Sequence, residues 1–124
     1  MVKLKEEESV VYFKGSLLAI ACLFVGTAVY AKAPPSSPES LARGQVVYKT
    51  NCSICHGDSG DGKGPAGGSL NPKARDFISE KYKFGTKPEQ VFKTISEGVK
   101  NTSMAPFAHL SESDRWALTY YVLS

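Results

Sequence analysis

Residues Cys52-Ser53-Ile54-Cys55-His56 form the pattern C-x-x-C-H. Two thiols at this spacing stand about one helical turn apart and can reach the two vinyl groups on one edge of a single porphyrin, while the next residue points an imidazole at the iron. The pattern is specific for covalently attached haem c, and a chain that carries it must fold around a large flat cofactor. Three other uses of C-x-x-C fit less well. A zinc site wants four ligands and a second Cys or Cys/His pair, and the only other thiol, Cys22, sits in an apolar run. A thioredoxin-like dithiol would follow a strand in a βαβ unit, whereas the residues before Cys52 read as a helix and those after it as a glycine loop. A plain disulfide leaves His56 without a task.

The chain has 124 residues and a formal charge of +3. Residues 1–33 read as a targeting or anchoring segment, which leaves 34–124 as one small domain. A domain of that size buries a modest share of its surface, so a porphyrin would form a major part of its interior and folding should depend on it. From Pro34 onward eleven Lys and Arg face nine Asp and Glu. So slight a positive balance gives no sign of nucleic-acid binding.

Residues 16–31 carry no charge. They are shorter than the roughly 20 apolar residues that span a bilayer comfortably and longer than most signal-peptide cores. Ala31-Lys32-Ala33 offers an A-x-A cleavage pattern, and Pro34-Pro35-Ser36-Ser37-Pro38 looks like an unstructured lead-in. Against cleavage, the leading segment contains Glu6-Glu7-Glu8, and residues 10–31 become a longer apolar stretch if Lys14 snorkels. Signal peptide and retained anchor both stand open. Ala19-Ile20-Ala21 before Cys22 is a poor lipobox. Either way the remainder is exported, to the periplasmic side of a bacterial cytoplasmic membrane if the haem reading holds.

Three helices are expected in the exported part. The first takes Ser37 as N-cap and Pro38 as its first residue and runs to about Asn51. Leu41, Gly44, Tyr48 and Cys52 share one face of it, and Gly44 should admit a second helix at close range. The second follows Thr86, with Glu89 completing a capping box, turns Val91, Phe92 and Ile95 inward and ends at Gly98. The third begins at Ser111, which pairs with Asp114 in a similar cap, and runs to Leu123. It is apolar on almost every side, so its periodicity does not say which residues meet the cofactor.

Residues 57–68 are too rich in glycine for regular structure. Gly57, Gly62 and Lys63 approach a phosphate-binding loop, but Gly64 stands where that loop needs Ser or Thr and no strand precedes it. Asp58 and Asp61 read as solvated turn residues rather than calcium ligands.

Apart from the initiator, Met104 is the only methionine. It lies in Ser103-Met104-Ala105-Pro106-Phe107, 48 residues after His56, a distance that lets the chain wrap the haem and return on its other face. Met104 is therefore the candidate sixth iron ligand, with His109 as its competitor. A thioether favours ferrous iron, and a closed coordination sphere favours electron transfer over oxygen binding.

With these residues in view, the chain from about Ser37 onward resembles the class I cytochromes c. The resemblance rests on Gly44 and Tyr48, the C-x-x-C-H motif, Gly64-Pro65, Met104-Ala105-Pro106-Phe107, and Leu118 with Tyr121. It implies a small all-α cytochrome c fold, three main helices and glycine-rich loops around one covalent haem, behind an N-terminal hydrophobic segment. It further implies that Gly44, Tyr48, Leu118 and Tyr121 mark a close crossing of first and last helices. Pro65 would offer its carbonyl to His56, and Leu70 would pack on the ring. The stretch 57–77, including Lys73-Ala74-Arg75-Asp76-Phe77, is also similar to haem domains attached to terminal oxidases and other respiratory complexes. Ala105 between Met104 and Pro106 departs from the more usual Met-Pro.

The implied function is one-electron transfer between redox protein partners of a respiratory chain by a carrier that is not itself an enzyme. A fixed membrane-anchored haem subunit of a larger complex is the alternative. A ligand-binding or peroxidase-like haem protein would need an open iron position, against which Met104 argues. Lys63, Lys73, Lys81, Lys83, Lys87 and Lys100 are scattered as on an ordinary solvated surface, and some of them could steer an acidic partner.

Overall fold

The computed structural model describes residues 32–124. The apolar stretch 16–31, Cys22 and nearly all of the segment expected to be a signal peptide or anchor lie outside the described residues. Among the described residues there are helices and no strands, and no helix is long and apolar enough to cross a membrane.

Helix α1 spans Pro38–Asn51. Ser37 caps it as expected: its hydroxyl accepts from Ser40 N at 3.2 Å, and Ser40 Oγ accepts from Ser37 N at 2.8 Å. Near its end Thr50, Asn51 and Ser53 each donate to a backbone carbonyl four residues back. Such back-bonding competes with the helical ladder and bends helices. Here the chain breaks stride at Cys52 (φ −119°, ψ −35°) and resumes as one further turn, α2, Ser53–His56. The sequence reading had no separate helix for this turn.

Helix α3 spans Pro88–Glu97 and α4 spans Glu112–Leu123. The start of α3 differs from expectation. Its N-cap is Lys87, because Pro88 is suited to the first helical position, and Gln90 rather than Glu89 reaches back, accepting from Lys87 N at 3.1 Å. Gly98 ends α3 with φ 68°, as expected. In α4 the Ser111 hydroxyl accepts from Asp114 N at 3.1 Å, but the Asp114 carboxylate turns away to Arg43 of α1.

Helices α1 and α4 make the main packing. A side chain at Gly44 would stand 2.7 Å from the Ala117 carbonyl carbon and from Tyr121 Cβ, so hydrogen is the largest substituent that the crossing accepts. The Tyr48 and Tyr121 rings lie 5.2 Å apart just beyond it. Arg43 forks onto Asp114 at 2.7 and 3.1 Å, fastening the other end of the same interface. Helix α3 joins through Phe92, which stacks on Trp116 at 4.1 Å under the Arg115 guanidinium. The resulting core consists of Val47, Tyr48, Val91, Ile95 and Leu118.

Two outcomes follow from this packing. Gly44→Ala should cost about 1–3 kcal/mol, since a methyl group must displace backbone, whereas Gly68→Ala, with nothing within 4 Å, should stay within about 0.5 kcal/mol; denaturant midpoints of the holoprotein compare them. The hydrogen bond from Arg43 holds the Asp114 carboxyl below its usual range, with the Arg43 charge acting the same way. A depressed carboxyl stabilises the fold above its unfolded pKa, near 4, and loses that contribution as pH falls through the lower folded value. The acid limb of the Tm–pH curve should therefore flatten in Arg43→Ala.

Candidate functional site

The inner face of the core is also the wall of a cavity of about 500 Å³, a volume within the range that holds cofactors. Tyr48, Val91, Ile95 and Leu118 belong to both. Helix α4 thus presents Leu118 and Val122 to the cavity, Ala117 and Tyr121 to α1, and Trp116 to α3, a division that its all-round apolar sequence concealed.

Cys52, Cys55 and His56 enter this cavity from α2 and the break before it. The two cysteines are not joined in a disulfide. Burial, and secondarily the charge of Cys55, pushes the Cys52 thiol up to about 11. Burial likewise holds His56 below its ordinary value, the Arg75 charge adding to this and the Arg75 carbonyl opposing it. His56 Nδ1 lies 3.0 Å from the Arg75 carbonyl oxygen. A carbonyl only accepts, so Nδ1 carries the proton and the Nε2 lone pair is left available to a metal.

The resemblance had assigned that carbonyl to Pro65, and the structure corrects it: Pro65 does not line the cavity, and the oxygen at His56 belongs to Arg75. The reason is the path of the glycine loop. Gly62 N donates to the His56 carbonyl at 2.8 Å and Ala66 N to that of Ile54 at 2.8 Å, which ties residues 57–67 back onto α2. The later segment Ala74–Phe77 then crosses the imidazole, with Phe77 N donating to Gly60 O at 2.7 Å and the Phe77 ring stacked on His56 at 4.4 Å. Leu70 does line the cavity. Phe77 belongs to the stretch that carries the resemblance, and its aromatic character is the only sequence signal of its place at the imidazole.

Met104 lines the cavity too, brought there by a loop fastened to the end of α3. Val99 N donates to Met104 O at 3.0 Å, Met104 N to Thr102 Oγ1 at 3.1 Å, and Phe107 N to Ile95 O at 3.0 Å. A side chain at Gly98 would stand 2.8 Å from the Ala105 carbonyl carbon and Pro106 N, so this glycine both reverses the chain and admits the methionine loop. His109, the competing ligand, is exposed beside Phe107 and outside the cavity lining. Asp61 Oδ1 accepts from Lys63 N at 3.0 Å, an ordinary turn contact.

The donor set fits a haem. Two thiols, a neutral imidazole with a free Nε2 and a thioether line one largely apolar cavity, whose cationic lining residues are Lys73, Arg75 and Lys83 with Glu80 as the single acid. Among the described residues no three His, Cys, Asp or Glu side chains are grouped to hold a bare metal ion.

The family described as cytochrome c oxidase, cbb3-type, subunit III matches residues 39–122. The chain belongs to this family of cytochrome c domains. Such domains bind haem c with its iron. The chain is 30% identical over 94 residues to the cbb3-type cytochrome c oxidase subunit FixP of Sinorhizobium medicae, a match that covers 68% of this chain and 30% of that protein. It is 24% identical over 96 residues to a thiosulfate dehydrogenase of Stutzerimonas stutzeri, covering 77% of this chain and 31% of that one. It thus spans under a third of the length of these curated relatives. Among solved structures, a chain of the Kuenenia stuttgartiensis reducing HAO-like protein complex superposes with TM-score 0.69 at 31% identity, over 75% of this chain and 46% of that one. Cytochrome cL of Methylophaga aminisulfidivorans superposes with TM-score 0.56 at 22% identity, over 70% and 55% respectively, and shares the fold.

In this cytochrome c domain the Tyr48 hydroxyl donates to the Gly57 carbonyl at 2.7 Å, joining α1 to the glycine loop. Gly60 N also reaches that carbonyl at 3.2 Å, so Tyr48→Phe leaves it partnered. The substitution should cost about 0.5–1.5 kcal/mol, read as a lowered denaturant midpoint with cofactor content unchanged.

Proposed function

We propose that the protein is a mono-haem c-type cytochrome that carries single electrons between redox protein partners of a respiratory chain, on the outer face of the cytoplasmic membrane. Residues 34–124 form the cytochrome domain, and residues 1–33 direct it there as a cleaved signal or a retained anchor. The observation that carries the reading is the convergence of Cys52, Cys55, His56 and Met104 on one cavity.

Cys52 and Cys55 would hold the cofactor through thioether bonds, and His56 Nε2 and the Met104 thioether would ligate its iron. Haem bound there supplies a ferric/ferrous couple that accepts one electron from a donor and yields it to an acceptor with no bond made or broken. The apolar wall of Val91, Ile95 and Leu118 excludes water and keeps reorganisation small. Lys73, Arg75 and Lys83 offset the charge of the haem carboxylates. With His56 and Met104 both ligating the iron, no coordination position would be left for substrate, and the protein acts as a carrier rather than a catalyst. A second reading, a fixed haem subunit of a larger respiratory complex, draws on the similarity to the FixP oxidase subunit.

Intact mass of the protein from native membrane and soluble fractions tests both. A chain cleaved near Ala33 with one haem, recovered in the soluble fraction, is expected of the shuttle. Full length with one haem in the membrane identifies the fixed subunit, and no haem increment in either fraction rejects the cytochrome reading altogether. Met104→Ala should abolish the thioether-to-iron absorption band of the ferric protein and open the ferrous protein to carbon monoxide, while His109→Ala should leave the band in place.

A further inference from the structure

Arg75 meets the proximal histidine through its backbone, yet its side chain is also committed. The guanidinium donates through one terminal nitrogen to the Lys81 carbonyl, and the same nitrogen lies 3.6 Å from the Glu80 carboxylate. These contacts close the turn that follows Arg75. Inside that turn the Asp76 carboxylate accepts from Ile78 N at 2.7 Å, from Ser79 N at 3.0 Å and from the Ser79 hydroxyl at 2.5 Å. On the other side the glycine loop bears on Ala74, Asp76 and Phe77. A side chain at Gly62 (φ 74°) would stand 2.7 Å from the Ala74 carbonyl oxygen and 3.2 Å from Asp76 N, and Gly60 O receives Phe77 N. The Arg75 carbonyl is therefore held between a glycine loop tied to α2 and a turn tied shut by its own side chain.

We propose that Arg75 is a positioning residue for His56: its guanidinium, anchored on the Lys81 carbonyl and Glu80, holds the Arg75 carbonyl against Nδ1 and thereby sets how strongly the imidazole donates to the metal. This rests on the cytochrome reading above. A firmer Nδ1–H···O bond makes the imidazole a stronger donor, which stabilises ferric iron and lowers the reduction potential. Releasing the clamp lets the carbonyl retreat, weakens that donation and raises the potential. The charge of Arg75 works in the opposite sense: a cation lining the cavity disfavours ferric iron, so its loss alone lowers the potential.

Arg75→Lys and Arg75→Gln separate the two effects, because lysine keeps the charge without the planar fork and glutamine removes both. Each purified holoprotein is read by potentiometric titration and by NMR measurement of hydrogen–deuterium exchange at His56 Nδ1 in the ferrous state. Exchange should accelerate roughly two- to tenfold in both variants, the equilibrium worth of one weakened hydrogen bond, and the potential of Arg75→Lys should rise. Unchanged exchange, with a potential that falls in Arg75→Gln and stays put in Arg75→Lys, would overturn the proposal and leave Arg75 as a charge beside the cofactor. Lower thermal stability with neither readout moved would overturn it equally. A wild-type protein without covalent haem fails the cytochrome reading instead, and does so before any variant is compared.

Discussion

The missing side chain at Gly44 sets the separation of α1 and α4, and the other elements take their places from that crossing. With Ala117 and Tyr121 of α4 against the backbone of α1, the two helices become one rigid wall, pinned at one end by the Arg43–Asp114 fork and at the other by the Tyr48–Tyr121 contact. Cys52 emerges from the end of α1 over the face of α4 that carries Leu118 and Val122. The turn Ser53–His56 is thus positioned by a helix crossing made about two turns away from it.

The loops finish what the helices begin, and they do so with backbone bonds rather than apolar burial. The glycine loop is tied to α2 through the His56 and Ile54 carbonyls, and the methionine loop is tied to the end of α3 through Val99 and Ile95. Glycines sit where two chain segments meet: Gly62 under Ala74 and Gly98 under Ala105 and Pro106. A side chain at either point would push apart the loops that bring Arg75 to His56 and Met104 into the cavity.

Core and cavity wall are the same small set of residues, and this couples stability to function. Val91, Ile95 and Leu118 have one side turned to neighbouring helices and the other to the cavity. An apolar cofactor bound there extends the core and stabilises the native state by binding it in preference to the unfolded chain. Under the proposed function, the interior that insulates the electron carrier is the interior that keeps the domain folded.

Local signals in the sequence were enough for features whose physics is local. The thiols and imidazole of Cys52–His56 are arranged by a single helical turn, the Ser37 cap with Pro38 by adjacent residues, and the close face of Gly44 by helical periodicity. Met104, which lines the cavity, stands out in the sequence as the only methionine beyond the initiator, a signal of residue type that needs no geometry. What could not be read there depends on how separate segments meet. The carbonyl for His56 was sought at Pro65, yet it comes from Arg75, 19 residues along the chain from the histidine, because the glycine loop folds back onto α2 before the next segment crosses the ring. Likewise the start of α3 was placed one residue early by following Thr86 rather than Pro88, and the faces of α4 were hidden by apolar residues all round. Sequence by itself pointed to the cofactor chemistry and placed α1, α3 and α4 to within about a residue, since those rest on residue type and on spacing within a turn. Tertiary structure alone decided which carbonyl orients the histidine and which residues wall the cavity, since backbone carbonyls are alike in every residue and only the path of the chain selects one.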